Sequence, residues 1–185
     1  TDAGRTLDVG WPILFSGKLW KEGEGTLVLG GEAKHEVDDG GELTDVPRAG
    51  SNLFEVVSGT VKIRNANALA GVETTVAERA VVQIVLDPDN ADLVKYGIRN
   101  VTAATPFSVM GGGKLNFSVD CSGVPTPVAG GVVTNALLTV SDAAVWDLRT
   151  IMPIRLQIWD ELCSKVTPVS NGDGTTTFIV ESGHF

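Results

Sequence analysis

The stretch "KLNFSVDC", residues 114–121, alternates without a fault. Leu115, Phe117, Val119 and Cys121 fall on one side, while Lys114, Asn116, Ser118 and Asp120 fall on the other. Successive side chains of a strand point to opposite faces, so this spacing predicts a strand with one face in a core. Segment 76–86, "VAERAVVQIVL", also alternates and then turns apolar on both faces, as a central strand covered on two sides would. "GTLVLG", "LFEVVSGTVKIR" and "NALLTV" read in the same way. Composition agrees: valine (25) is the commonest residue and glycine (22) follows, a mixture suited to strands joined by glycine turns.

The C-terminal region predicts a hairpin. "SKVTPVS" and "TTTFIVES" flank "NGDG", whose residues tolerate positive φ. Two short helices are expected: "NADLVKYG", closed by Gly97, and "SDAAVWDLRTI", opened by Ser141 and stopped before Pro153. "PIRLQIWDEL" fits a helix or a strand and is read as a strand, because the hairpin needs a long first arm. The count is eight to ten strands, two short helices, and neither linker nor repeat. Helices this few cannot supply the crossovers of β-α-β units, which argues against a parallel sheet. The expected fold is therefore all-β: an antiparallel two-sheet β-sandwich, of single jelly-roll type, forming one domain over 1–185.

"VLDPDNADL", residues 85–93, packs acids and amides closely enough to suggest a metal loop. A calcium loop of the EF-hand kind needs an acid fifth, glycine sixth and glutamate twelfth. Counting from Asp87, those places hold Ala91, Asp92 and Ile98. The segment is a corner instead: Asp87-Pro88 turns the chain, and Asp89 or Asn90 caps the helix that follows.

No catalytic signature stands out elsewhere. His35 and His184 cannot make a three-histidine site, and both read as solvated, His35 in the loop "KHEVDDGG". "MGGGKLNF" lacks the earlier glycine and the Ser or Thr of a phosphate loop. The acids Asp38, Asp39, Glu42 and Asp45 read as an exposed loop. Cys121 and Cys163 read as free, buried thiols. Asn100-Val101-Thr102 and Asn116-Phe117-Ser118 match the glycosylation pattern. The sequence predicts no enzyme, no catalytic residue, no cofactor, no metal and no small-molecule substrate.

Charge is more informative. The chain carries 14 Lys plus Arg against 23 Asp plus Glu, a net charge of −9. That balance repels phosphate backbones and argues against direct nucleic-acid binding. No run of apolar residues is long enough for a membrane-spanning helix or a signal peptide. Residues 1–50 hold 15 charged side chains, whereas between Val101 and Val140 only Lys114 and Asp120 are ionised. A charge-free Pro/Gly loop at 122–131 suggests surface covered by another subunit, with Val124, Pro125, Pro127 and Val128 as the expected contact.

With the acidic loops "VDDGGELTDV", "LDPDNADL" and "SNGDGTTTF" set between these strands, the chain resembles the small single-jelly-roll major capsid proteins of icosahedral, internal-membrane viruses of halophilic archaea or Thermus. The resemblance covers the whole chain by size, composition and strand plan, and rests on no diagnostic motif. It implies a capsid subunit located in the virion, assembling with copies of itself or a larger companion capsid protein near an internal viral membrane. A phage tail-tube or head-decoration protein is the nearest rival reading. A carbohydrate-binding β-sandwich is the rival of another class, and it needs exposed aromatics. Trp11, Trp20, Trp146 and Trp159 sit among apolar neighbours and read first as core or anchor.

Overall fold

The computed structural model describes residues 2–36, 43–44, 52–85, 87–109, 116–120, 132–144 and 163–183. The alternating segments are extended, as their pattern requires, but they wind round a common axis. Strands β1 (Thr6–Val9), β2 (Ile13–Phe15) and β3 (Lys18–Lys21) form three sides of a first coil. In the second coil β4 (Thr26–Leu29), β5 (Ala33–Glu36) and β7 (Leu53–Val56) repeat those sides, with β6 (Leu43–Thr44) folded back against β5. The third coil has β8 (Thr60–Ile63) and β9 (Glu73–Val76), joined by turns; the fourth has β10 (Val81–Val85), β11 (Ile98–Asn100) and β12 (Phe107–Val109). Helix α1 (Ala91–Tyr96) is inserted between β10 and β11. A fifth coil begins with β13 (Asn116–Asp120) and β14 (Val132–Ser141), after which β15 (Cys163–Ser170) and β16 (Thr175–Gly183) form the last hairpin.

Each side of the coil stacks into a sheet. The first sheet, β1-β4-β8-β10-β13, and the third, β3-β7-β9-β12, are parallel throughout. The second pairs β2 with β5 in parallel, and a fourth, β11-β14-β16-β15, starts parallel and turns antiparallel. Through the turns of the third coil the ladder continues: Ala33 N–H donates to the Asn67 carbonyl (2.9 Å) and Arg99 N–H to that of Ala66 (2.7 Å).

This parallel β-solenoid corrects the expected antiparallel two-sheet sandwich and its jelly-roll topology. A parallel pair needs a long return connection, and the sequence argument assumed that only helices supply one. Here the other two sides of the coil are the return path. The expectation of no repeat fails with it, since Thr6, Thr26, Thr60, Val81 and Asn116 stack in register at spacings of 20, 34, 21 and 35 residues. Insertions in the second and fourth coils hide a period near 20. "LFEVVSGTVKIR" is two strands on different sides, and 76–86 breaks at a turn over 77–80 into β9 and β10. Because β10 alternates buried with half-buried residues, it is central in its sheet without being covered on both faces. Among the described residues α1 is the one helix; where the second was expected, Ser141 ends β14 and 142–144 form a turn, while 145–151 lies outside them, as does "PIRLQIWDEL". The hairpin at 171–174 and the helix closed by Gly97 are as expected.

The core is a set of ladders running along the axis. Leu7, Leu27, Val61 and Val82 form one inside the first sheet; Val9, Leu29, Ile63 and Ile84 form the next. Each buried aliphatic side chain contributes about 1.5–3 kcal/mol, so the coils hold together by stacking rather than by any one coil's own contacts. Close approach governs two glycines. A Cβ on Gly31 would run into the Trp11 backbone of the coil beside it, and Gly97, at φ 61, ends α1 against the backbone of Leu137.

Candidate contact surface on the first coil

Three strand edges lie together at one end of the solenoid. β1, β2 and β3 are each the outermost member of their sheet, so among the described residues their outer backbone groups have no ladder partner. The side chains there are apolar. Leu7 is 53% exposed, whereas Val61 and Val82 in the same ladder are fully buried; Leu19 is 39% exposed above the buried Phe54. These residues face inward and are bare because no coil among the described residues covers them. On the outside, Trp11 (79%), Leu14 (46%) and Trp20 (54%) are exposed as well. Of the eight large hydrophobic side chains exposed among the described residues, five therefore belong to the first coil. An apolar patch rimmed by strand edges without a partner among the described residues has the chemistry and backbone geometry that docking surfaces have.

The surface is rigidly held from beneath. His35, expected to be solvated, is completely buried in β5: its Nε2–H donates to the Ala70 carbonyl (2.9 Å), and Nδ1 accepts from Asn52 Nδ2 (2.7 Å). Asn52 Oδ1 in turn accepts the Gly17 N–H at 3.2 Å, tying the first coil to the second. At another corner the Lys21 ammonium donates to the carbonyls of Gly23 (2.5 Å) and Ser58 (2.6 Å). Burial pushes the Lys21 pKa below its ordinary value, with Glu24 pulling the other way. Phe15 packs edge-on to Phe54, centroids 6.2 Å apart. Outside, Lys18 pairs with Glu55 (2.6 Å) and lies 5.2 Å from the Trp20 ring centroid.

A shallow cleft of about 250 Å³ crosses the second, third and fourth coils, bringing Glu32, Asn67, Arg99 and Thr102 together. The Arg99 guanidinium lies 5.0 Å from the Tyr96 ring centroid, and its buried Nε has no hydrogen-bond partner among the described residues. Glu32 is already paired with Lys34 at 3.1 Å.

The expected contact residues Val124, Pro125, Pro127 and Val128 lie outside the described residues, as do the acids at 38, 39, 42 and 45, Cys121 and His184. Within the charge-poor run Phe107 and residues 136–140 are buried in the solenoid, which accounts for their neutrality, whereas Thr102, Ala104 and Thr134 are exposed. Asn100 is also buried, with its amide bonded to the Val72 carbonyl and its oxygen to Gly71 N–H, so this glycosylation pattern is not displayed. In the corner at 85–93 Asn90, not Asp89, caps α1: its Oδ1 accepts the Leu93 N–H at 3.1 Å. No cluster of three metal-ligating side chains exists among the described residues.

Sequence reasoning took Trp11 and Trp20 first as core or anchor, whereas both are exposed, and did not single out Leu7, Leu14 or Leu19. A signal was present. "GTLVL" at 25–29 and "GTVKI" at 59–63 are the same corner and strand, and aligning "RTLDV" at 5–9 with them exposes the repeat and its first member. No family model, no curated protein and no solved structure matches this chain.

Proposed function

We propose that the chain is a structural subunit, the role expected of a virion protein, and that it works by contact with other protein through its open first coil. The observation carrying this reading is the coincidence of Leu7, Leu19 and Leu14 with three strand edges that have no partner among the described residues, at one end of the solenoid. A patch of this kind is costly to leave in water, and burying it against protein supplies the apolar centre that interfaces have. The jelly-roll route to that role is withdrawn with the jelly roll itself; assembly by subunit contact does not depend on it.

The test is negative-stain imaging and sedimentation of the purified chain beside the Leu7→Asp/Leu19→Asp double variant, at low and high salt. Both substitutions fall at solvent-exposed positions, so circular dichroism should be unchanged while assembled species disappear. Assemblies that persist in the double variant would remove the first coil from the contact.

One observation favours carbohydrate binding as a second reading: Trp11 and Trp20 are exposed, which meets that reading's requirement for surface aromatics. Quenching of tryptophan fluorescence by a neutral oligosaccharide, lost in Trp11→Ala, would support it over assembly.

A further inference from the structure

We propose that His35 is an acid-sensitive latch across the first three coils: uptake of a proton by its ring breaks the bond that holds the turn at Gly17, and the first coil loosens. The latch goes beyond the contact reading above and does not depend on it.

The latch is one line of hydrogen bonds with a fixed direction. Gly17, in the turn between β2 and β3, can only donate through its N–H, and it does so to Asn52 Oδ1 at 3.2 Å. That bond orients the Asn52 amide, so Nδ2 donates to His35 Nδ1 at 2.7 Å. At the other end the Ala70 carbonyl can only accept, which places the ring hydrogen on Nε2, 2.9 Å away. Both ends of the line are backbone groups, so it cannot be reversed. Gly17 belongs to the first coil, Asn52 and His35 to the second, and Ala70 to the third.

Only a neutral imidazole fits this line. A proton on Nδ1 turns an acceptor into a donor and sets N–H against N–H at 2.7 Å. Rotating the Asn52 amide by half a turn satisfies the new Nδ1–H but aims the NH2 group at the Gly17 N–H. Either way a buried donor loses its partner, which costs more than an ordinary hydrogen bond gains. The ring is fully buried and Asn52 nearly so, which keeps bulk water from replacing the lost partner.

Among the described residues no carboxylate is paired with the ring. β2 brings Phe15, and β6 brings Thr44, into register with His35. The turns over 65–72 carry no ionisable residue. Lys18, Lys34, Glu55 and Glu73 stand at outward positions of β3, β5, β7 and β9, and Glu36 follows His35 in β5. Lys21 points inward at the far end of β3, but its ammonium is held by the Gly23 and Ser58 carbonyls and has the sign of a protonated ring. An imidazolium here is a buried charge without a partner. When the latch opens, Gly17 keeps the bond from Leu53 N–H to its carbonyl (3.0 Å) and loses the one from its own N–H.

Histidine in water takes up its proton at about pH 6.5. Below that pH the open form binds one proton more than the closed form, so opening is favoured by up to about tenfold per pH unit as pH falls. The test is NMR on the His184→Gln chain, in which His35 is the one histidine left. At pH 7 its ring should be neutral with the hydrogen on Nε2. Exchange protection of the Gly17 amide, corrected for the intrinsic rate, should fall about tenfold per pH unit below about pH 6.5. Protection of the Phe178 amide in β16 should not follow; an equal fall there would mean that the whole chain opens, and would overturn a latch confined to the first coil. Asn52→Asp is the discriminating variant. Its carboxylate can accept from Gly17 N–H and from a protonated Nδ1 together, so the acid-driven loss should vanish. The same fall in Asn52→Asp overturns the proposal, as does a ring that protonates while Gly17 stays protected. Should Asn52→Asp not fold, the parent chain decides: hydrogen on Nδ1 at pH 7, or protection that does not change with pH, ends the latch.

Discussion

Lys21 occupies a ladder position that is valine in each of the next three coils: Val56, Val76 and Val109. A lysine there is tolerable only because its ammonium is spent on two corner carbonyls. Burial nevertheless depresses its pKa below 10.5. With the folded pKa below the unfolded one, the unfolded chain holds the extra proton in the window between them. The cost of the buried charge is then present below the folded pKa and is relieved as pH rises through it toward 10.5. Urea midpoints of wild type and Lys21→Met, measured from pH 7 to 10.5, should diverge in favour of wild type as pH rises. A constant difference would mean that Lys21 reaches water. His35 makes the complementary point at this scale. Nothing in "KHEVDDGG" marks it as buried, because the two groups that satisfy its ring, Asn52 and Ala70, come from 17 and 35 residues away.

At the scale of the element, local signals are legible where an element is finished by its own neighbours in sequence. Helix α1 has its cap, Asn90, and its stop, Gly97, at its two ends. Asn90→Ala removes the bond to Leu93 N–H and the donor to the Arg64 carbonyl, and should cost about 1–2 kcal/mol by denaturant unfolding. Asp89→Ala should change stability by less than about 0.5 kcal/mol, since that side chain is exposed and is not the cap. Equal losses from both would return the cap to the pair. The last hairpin is similar: Asp173 accepts from the Thr175 hydroxyl (2.5 Å) and backbone N–H (3.1 Å), a turn written entirely within "NGDGT". Those bonds hold its carboxyl below the ordinary value.

At the scale of the whole molecule, stability should vary along a ladder according to how many coils cover a position. Leu29 is buried with a coil on either side, whereas Leu7 is half exposed at the end. Leu29→Ala should destabilise the chain by about 2–5 kcal/mol, as core truncations do. In dilute solution Leu7→Ala should cost well under half as much, because little of that side chain leaves water on folding. Chemical unfolding of both variants measures the difference, and equal costs would show that the first coil is already covered.

The sequence by itself determined extended structure in the segments that alternate, such as Thr26–Leu29 and Asn116–Asp120, where α1 and the last hairpin turn, and that the chain is strongly acidic, while β1, β2, β3, β5, β11 and β12 passed unmarked. Each of these depends on residues within a few positions of one another. Tertiary structure alone decided which strands pair. Period-two alternation requires one buried face, and a sandwich and a solenoid satisfy that requirement equally well, so Leu27 and Val61 alternate identically whether their strands meet as neighbours in a hairpin or as successive coils. The choice was made by ladder packing between residues 20 to 35 positions apart, at spacings that two insertions make unequal. The same cause hid the candidate surface: Leu7 and Leu19 are core residues by pattern, and only their place in the first coil, whose outer edges have no strand partner among the described residues, leaves that core face exposed.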